Sequence, residues 1–251
     1  MQRKDLVVYL DNTLRISEIK DYGPQGLQVE TGNEQVNRIA LAVDVALPVI
    51  EAAAAWKADM LLVHHGILWR SVEPIAGPLG ARVRQLMAHS INLYAAHLPL
   101  DAHPEVGNNA VLAQMAGVEI TDWWCEAMGT PIGIVGTVAP KTTLSQLVTR
   151  VEQQLGTTAR VLAHGPETIT KVAIVSGFGA DRVAEARALG ADTFLTGETS
   201  HAHYWAAADH GMNLIYAGHY ATETVGVKAL GRRLAQELEV EVKFFNFPTA
   251  M

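Results

Sequence analysis

Cysteine and long apolar runs are both scarce in this sequence. Cys125 is the only cysteine among 251 residues, so no internal disulfide can form. No stretch reaches the roughly 20 apolar residues of a membrane-spanning helix, and the opening MQRKDLVVYLDNTL has too short an apolar run for a signal peptide. We therefore expect a protein of the reducing cytoplasm with no membrane partner.

Positive charge is also in deficit. The formal net charge is −7 with histidine neutral, which argues against a general binder of nucleic acid or of anionic membranes. The notable basic pairs are Arg82 with Arg84 and Arg232 with Arg233. These arginines fall in helical patterns where a solvated face is the ordinary interpretation, so a nucleic-acid-binding ring is the least favoured hypothesis.

The sequence contains one long pattern twice. A strand, an Ala-rich helix and an Ala-Asp step into a second strand occur in RIALAVDVALPVIEAAAAWKADMLLVHHG at 38–66 and in KVAIVSGFGADRVAEARALGADTFLTGE at 171–198. A further match pairs INLYAAHLPLD at 91–101 with MNLIYAGHYATE at 212–223, each followed by a helical stretch. Several matches in the same order indicate an internal duplication.

Strands that alternate with helices predict an α/β fold. Such βαβ units favour mainly parallel sheets flanked by helices, here as two interlinked, internally duplicated lobes. We predict a first lobe at 1–125, completed by 219–251, and a second lobe at 126–218. The second lobe includes a small strand–helix–strand insert at 126–170, and residues 1–37 predict a helix followed by a loop.

An apolar strand ends in two adjacent histidines in LLVHHGILWR at 61–70. Adjacent side chains on a strand point to opposite faces. His64 and His65 can therefore reach one cleft only at the end of the strand, where Gly66 lets the chain turn. The pair is either a metal or catalytic doublet or a hydrogen-bonded loop pair, and the repeat favours the doublet.

Residues of the types that bind metals stand at or just past the other predicted strand ends. His97 and Asp101 follow one strand, His219 and Glu223 follow its repeat, and Glu198 ends a third strand. The repeats align Glu198 with the second histidine of the doublet, and His219 with His97. Because sites in parallel sheets form at the carboxyl ends of strands, two facing lobes would bring these side chains into one cleft.

The number of donors favours two metal ions over one. Imidazole and carboxylate together suit Zn, Fe, Mn, Ni or Co, and two ions ~3.5–4 Å apart need about five or six ligands, some of them bridging. Asp101 or Glu223 is the candidate bridge. The duplicated motifs offer a candidate ligand set with His97 and Glu198 beside it: His64, His65, Asp101, His219 and Glu223.

His97 and Glu198 are the predicted catalytic residues beside the metals. His97 could be a ligand, a group that orients a ligand, or a proton shuttle, and the last two are favoured. Glu198 is a candidate general base or an outer carboxylate that supports a ligand. His201 and His203 begin a predicted helix on differing faces, so we do not assign them to a metal.

Three further motifs carry weaker information. Trp123-Trp124 could stack on a base, but packing at a lobe or subunit boundary is favoured. The backbone of Gly107-Asn108-Asn109 opens a helix and could hold an anion. The turn VSGFGAD at 175–181 lacks the full dinucleotide-binding spacing, so no NAD is predicted.

The motifs together resemble the NIF-three-like proteins, commonly named GTP cyclohydrolase 1 type 2 homologues. The resemblance covers nearly the whole chain, and the large middle insertion of the family's longer members is missing. It implies two interlinked α/β lobes, a dimetal site with the five ligands named above, and a homohexameric ring, or toroid, whose sites face its interior. The motifs that carry it are VHHG at 63–66, HLPLD at 97–101, TGE at 196–198 and GHYATE at 218–223, with DYGPQGLQVE at 21–30 and DAHPEVGNNA at 101–110 matching the bacterial short form.

The residues and the resemblance both favour a hydrolase. A two-metal site suits hydrolysis of phosphoester, amide or ring-amidine bonds, and the family's name implies hydrolytic opening of a purine ring. We expect a dinuclear metal-dependent hydrolase that acts on a nucleotide or related small molecule, including modified or damaged nucleotides. The alternative is a non-catalytic protein that binds or delivers metal, or serves as a scaffold ring.

Overall fold

A computed structural model describes residues 1–71 and 73–250, and the chain divides into two compact units. The first unit comprises Met1–Leu100 with Val227–Phe247, and the second comprises Asp101–Gly226 with the residues from Pro248 onward. In chain order the elements are α1 (Arg3–Leu14), β1 (Gly26–Val29), β2 (Arg38–Asp44), α2 (Leu47–Ala55), β3 (Met60–His65), α3 (Gly77–Ala88), β4 (Asn92–Ala95), α4 (Leu98–Asp101), α5 (Asn108–Ala116), β5 (Glu119–Ala127), β6 (Thr130–Thr137), α6 (Leu144–Leu155), β7 (Arg160–Ala163), β8 (Lys171–Phe178), α7 (Val183–Ala188), β9 (Thr193–Glu198), α8 (Tyr204–Asp209), β10 (Asn213–Tyr216), α9 (His219–Glu237) and β11 (Glu241–Phe244).

The first unit contains a five-stranded sheet in the order β1-β4-β3-β2-β11. Its pairings are parallel from β4 to β11, and the β1–β4 pair at the edge is antiparallel. β2 and β3 are buried on both faces, as their continuous apolar runs require. β1 lies in the segment predicted as a loop, because four residues among glycine and proline carry too little pattern to indicate a strand.

The second unit contains a six-stranded sheet in the order β5-β6-β8-β9-β10-β7. β8, β9 and β10 pair in parallel, whereas β5, β6 and β7, which lie outside the repeat, pair antiparallel. The predicted insert is present as β6, α6 and β7. α6 begins with a capping box formed by Thr143 and Gln146 and ends at Gly156, whose φ is +65°. The predicted α/β class is confirmed, with a second sheet that is mixed.

The predicted duplication is visible in the hydrogen bonds of the two sheets. The strand order β4-β3-β2 of the first repeats as β10-β9-β8 in the second. Asp59 Oδ2 accepts the amides just before and at the start of β2, at 2.8 and 2.9 Å, and Asp192 Oδ2 accepts the equivalent amides of β8, at 2.7 and 3.2 Å. Asn92 and Asn213, both fully buried, open β4 and β10.

The predicted lobe boundaries fall differently from the unit boundaries. The break predicted at 125–126 lies inside β5, which forms a hairpin with β6 through Met128 and Gly129. Both turn residues have positive φ, 52° and 87°, as a tight two-residue hairpin requires. The hairpin carries β5 into the second sheet. The break predicted at 218–219 precedes α9, whereas the units divide within that helix.

The helices differ in how much they bury. α1 buries one side through Leu6, Leu10 and Leu14, which are spaced four residues apart, whereas α5 is buried at seven of its nine residues. Among the residues that the structure describes, no helix combines the length and the apolarity that crossing a membrane would need.

Candidate metal centre

Three histidines cluster at the carboxyl edge of the first sheet. His64 and His65 end β3, and His97 follows β4. The ring centroids are 4.7 Å apart for His64 and His65, 5.0 Å for His64 and His97, and 5.5 Å for His65 and His97. One ligand-type nitrogen of each lies within 4.8 Å of the other two. The adjacent pair therefore converges at the end of its strand.

Each ring of this cluster is oriented through its Nδ1 atom. His64 Nδ1 lies 2.9 Å from the backbone carbonyl that precedes His97, His65 Nδ1 lies 2.8 Å from Asp44 Oδ1, and His97 Nδ1 lies 2.9 Å from Asp21 Oδ1. Carbonyl and ionised carboxylate oxygens only accept, so Nδ1 carries the proton and donates. Anchoring at Nδ1 directs Nε2 away from the anchoring oxygen, an arrangement typical of metal-binding histidine.

The loop between α1 and β1 holds the cluster in place. The Asp21 side chain is 1% exposed and accepts both from His97 Nδ1 and from the next backbone amide, at 2.7 Å. Gln25 Oε1 accepts the amide of His97 at 2.8 Å, and Gln28 Oε1 accepts the amide of Ile67 at 2.8 Å. Gln28 belongs to β1, so the loop fixes the backbone just after β4 and β1 fixes the backbone just after β3.

Two buried carboxylates belong to the second unit. Asp101 and Glu223 are each 4% exposed. Asp101 Oδ1 accepts from Asn108 Nδ2 at 2.8 Å and from Ser176 Oγ at 3.2 Å, which fixes its position. Glu223 lies one turn beyond His219 on α9, and its Oε1 is 3.1 Å from His219 Nε2.

His219 lies between two carboxylates. Its Nδ1 is 2.9 Å from Glu198 Oε1, and its Nε2 faces Glu223. Burial lowers the pKa of His219, but the hydrogen bonds and charges of Glu223 and Glu198 outweigh burial and raise that pKa to about 9. In the metal-free protein this ring is an imidazolium at neutral pH, and it must lose the Nε2 proton before it can bind a cation.

A bulge in β8 shapes the surroundings of Glu223. The pairing of β8 with β9 shifts between Val175 and Phe178, which places Ser176 and Gly177 in the bulge. Gly177 has a φ of +62°, and a Cβ on it would lie 2.3 Å from Glu223 Oε1. Glycine is required here for both the backbone conformation and the close approach of the carboxylate.

The third strand of the second repeat is followed by one extra residue. The amide of Ala96 donates to Val63 O, and the amide of Ala217 donates to Thr196 O, so these two alanines are equivalent. His97 is therefore equivalent to the glycine at 218, and the predicted alignment of His219 with His97 is wrong by one residue. The extra residue lets the histidine of the second repeat become the first residue of a long helix.

The predicted site residues fall into two sets, one in each unit. The first set is the histidine cluster, in which His97 approaches its neighbours as closely as a ligand would. In the second set Glu198 and Glu223 flank His219, while Asp101 is held by its own hydrogen bonds. The five-ligand assignment and the two catalytic roles remain predictions. His201 is exposed, and His203 Nδ1 lies 3.0 Å from Ser200 Oγ.

Sequence reasoning missed the residues that orient these side chains: Asp21, Asp44, Asn108 and Ser176. Asp44 ends β2 directly opposite His65, so the strand-end rule could have found it. Asp21 lies in a loop without a periodic pattern. Asn108 lies in the motif whose backbone could hold an anion, and its fully buried side chain donates to Asp101 Oδ1.

Trp124 packs inside the second unit, and the packing predicted for the tryptophan pair at a lobe or subunit boundary stays a prediction. This residue is 5% exposed, its Nε1 donates to Ile134 O at 2.8 Å, and its ring contacts Phe194 edge-on at 5.5 Å. The indole of Trp124 is therefore largely buried, whereas Trp123 is half-buried.

A sequence model of Duf34/NIF3 (NGG1p interacting factor 3) matches residues 1–250. The chain belongs to the DUF34/NIF3 family. The family resemblance seen in the histidine and carboxylate motifs is thereby confirmed over the whole described chain.

Relatives in this family share both sequence and fold with the chain. The GTP cyclohydrolase 1 type 2 homolog of Deinococcus radiodurans is 41% identical over 249 residues, which cover 99% of this chain and 94% of that protein. The homolog of Pyrococcus abyssi is 42% identical over the full length of both chains. Two solved structures, a protein ybgI described as of unknown function and TTHA1606 from Thermus thermophilus, superpose over 100% of both chains with TM-scores of 0.93 and 0.89, at 35% and 38% identity.

Proposed function

We propose that this protein is a metal-dependent hydrolase of a nucleotide or a related small molecule. The observation that carries the proposal is the shared orientation of His64, His65 and His97, whose rings are all anchored at Nδ1 with ligand-type nitrogens within 4.8 Å of one another. Histidines that merely fill a core or a loop need no common anchoring. Imidazoles anchored at Nδ1 and grouped this closely are typical of the surroundings of a transition-metal ion, in which some rings bind the ion and others act beside it.

Two divalent ions per subunit fit the chemistry of the predicted donors. Asp101 and Glu223 are buried carboxylates, and carboxylate oxygens together with imidazole nitrogens are the donor set that such ions take. When bound, such ions lower the pKa of water and stabilise negative charge on a substrate oxygen. The proposed ligands are His64, His65, Asp101, His219 and Glu223, with Fe, Mn, Zn, Ni or Co as the candidate metals.

Two residues of the chain would position and move protons. Glu198, through its hydrogen bond to His219 Nδ1, would fix the ring and balance its charge. His97 is anchored by Asp21 and keeps Nε2 available, so it would accept a proton from the attacking water and return it to the leaving group. If His97 instead binds metal, its replacement will lower metal content as well as turnover.

The substrate class rests on the relatives. Their name, GTP cyclohydrolase 1 type 2 homolog, points to a purine nucleotide or a chemically related molecule. We also propose, from the family resemblance, that the chain assembles into a homohexameric ring whose sites face inward. An enclosed site of that kind would favour small or flexible substrates over nucleic acid.

The test is turnover measured together with metal content. The protein is purified without added metal, bound metals per chain are quantified, and samples reloaded with Mn, Fe, Zn, Ni or Co are screened against GTP and oxidised nucleotides by mass-detected product. We expect about two metals per chain. Turnover should disappear in Asp101→Ala.

A matched pair of double variants checks the ligands themselves. His64→Ala with Glu223→Ala should lose at least one metal and keep its circular dichroism spectrum. The control, His201→Ala with Glu239→Ala, removes the same side chains at exposed positions and should keep both metals. Unchanged metal in the first variant contradicts the ligand set. Full metal content without turnover on any nucleotide favours metal binding, metal delivery or a scaffold role instead.

A further inference from the structure

An exposed tryptophan stands beside the histidine cluster. The Trp69 ring lies 5.4 Å from the His97 ring at an interplanar angle of 82°, and 6.1 Å from the His65 ring. It is 40% exposed, although an indole normally gains free energy by burial. Two rings that meet nearly at right angles leave at least one indole face uncovered by His97.

The position of Trp69 is set by the loop that anchors the cluster. A Cβ on Gly23 would lie 2.4 Å from Leu68 O and 2.8 Å from Trp69 Cα, so the two backbone segments are in direct contact. The same loop contributes Asp21, which holds His97. The same loop therefore positions both the Trp69 indole and the histidine cluster.

A guanidinium group adjoins this aromatic ring. Arg70 Cζ lies 4.3 Å from the ring centroid of Tyr22, and the Tyr22 ring is 6.1 Å from the His97 ring. Stacking on an aromatic face orients an arginine, and an oriented guanidinium suits the binding of phosphate oxygens. Arg70 is exposed, so an anion can reach it from solvent.

We infer that Trp69 and Arg70 recognise a nucleotide, the base stacking on Trp69 and the phosphate contacting Arg70. The inference rests on the proposed function and narrows it to substrates that combine a planar ring with an anionic group. An aromatic face stacks on any base, and a stacked arginine suits phosphate. Both lie next to the histidine cluster, so the bound base or sugar would be held beside the metal-binding nitrogens.

The experiment measures binding rather than turnover. The metal-loaded full chain is titrated by equilibrium dialysis with GMP, guanosine and ribose 5-phosphate. Trp69→Leu should weaken GMP and guanosine roughly 10- to 100-fold and leave ribose 5-phosphate unchanged, while Trp69→Phe, which keeps an aromatic face, should lose less than about 10-fold. Arg70→Gln should weaken GMP and ribose 5-phosphate roughly 10-fold and leave guanosine unchanged.

Controls separate recognition from general damage. Trp205→Leu removes a 64% exposed tryptophan on α8 and should leave every affinity unchanged. Gly23→Ala should shift the Trp69 backbone and weaken GMP in the same direction as Trp69→Leu, even though the indole remains. Metal content per chain is measured in every variant, and an unchanged value shows that the histidine cluster is intact.

Three results would overturn the inference. The first is no GMP binding at millimolar concentration. The second is a change of less than about twofold on Trp69→Leu, and the third is a change of oligomeric state on Trp69→Leu without a change in affinity, which would make the indole a subunit contact. Nucleotide binding that depends on Trp69, without turnover, would support this inference and contradict the proposed hydrolase activity.

Turnover of a compound without a planar ring, unaffected by Trp69→Leu, would support the hydrolase activity and contradict this inference.

Discussion

The two units share a frame and differ at the ends of their strands. In both, an aspartate fixes the start of the first parallel strand and a buried asparagine opens the third. In the first unit β2 runs without a bulge and ends in Asp44, which orients His65 on the next strand. In the second unit β8 bulges at Ser176 and Gly177, and the orienting carboxylate, Glu198, ends β9 instead.

This difference shows which parts of a duplicated fold can change. The residues that satisfy buried backbone groups are the same in both copies, because an unsatisfied buried amide or carbonyl is costly. The strand ends, where side chains face an open edge, have diverged to imidazoles in one unit and mainly carboxylates in the other. Two single-residue additions, one in β8 and one after β10, accompany that divergence.

The largest expected effect comes from replacing the buried asparagine that opens the third parallel strand in each unit. Asn92→Ala and Asn213→Ala should each lower the free energy of unfolding by about 3–5 kcal/mol, since each removes a fully buried side chain and leaves buried polar groups unsatisfied. Asn92 makes more hydrogen bonds, including those to Thr31 N at 2.9 Å and Asp59 O at 3.1 Å, so its loss should be the greater. Urea unfolding measures both.

The control for this pair is Asn12→Ala, at an exposed position on α1. It should change the free energy of unfolding by less than about 0.5 kcal/mol. If either buried variant matched this control, the two asparagines would not have equivalent structural roles in the two units.

The bulge can be tested by a pair of glycine substitutions. Gly177→Ala and Gly190→Ala both place a side chain at positive φ, +62° and +82°, but a Cβ at 190 meets nothing within 4 Å. The backbone conformation should lower the free energy of unfolding of both variants by about 1 kcal/mol. Gly177→Ala should lose a further 1–3 kcal/mol or so, because Glu223 must move, and its metal content should fall.

Metal content and thermal unfolding distinguish the two glycine variants. Equal metal content in both would show that the bulge is not needed to place Glu223. That outcome would make the extra residue of β8 a neutral difference between the units.

A smaller effect, on metal affinity, is expected from the carboxylates that orient a histidine in each unit. Asp44→Asn and Glu198→Gln keep the shape of the side chain but remove the charge that supports His65 and His219. Each should lower metal affinity about 10- to 100-fold, as loss of a residue that orients a metal ligand does. Glu239→Gln, at an exposed position, is the control. Competition with a chelator measures affinity, and an effect at one carboxylate alone would mean that one unit supplies most of the binding.

The smallest effect is expected for chemical labelling of Cys125 in β5, a strand that has no counterpart in the first unit. Cys125 is 5% exposed, and burial raises the pKa of its thiol to about 12. The thiolate that reacts with alkylating agents should therefore stay scarce between pH 7 and 9, instead of increasing through the usual pKa near 8.5. Mass spectrometry after iodoacetamide should find unmodified protein, with full modification in urea. Fast labelling of the folded protein would show that β5 opens.

The strand ends could be predicted from sequence because two periodic patterns repeat there. Apolar runs followed by His65, Glu198 and His97 indicated both the parallel strands and the edge where they finish, and the β2–β3 and β8–β9 registers agree. Gly177 could not be recognised as a bulge, because one added residue in an apolar strand leaves no gap in the pattern. The role of Asp21 depends on a segment whose path is determined by long-range hydrogen bonds. The backbone amides of His97 and Ile67 donate to the side chains of Gln25 and Gln28 in that segment.

The position of β11 has a consequence for synthesis on the ribosome. β11 is the last strand of the chain and pairs with β2, which is synthesised about 200 residues earlier. Until residues 241–244 emerge, β2 is an unpaired edge made of apolar residues, and such edges invite pairing with other chains. The second sheet, by contrast, has all its strands by residue 216. A nascent chain would thus complete its later unit first, and aggregation during translation should depend on how quickly the final segment returns to the first.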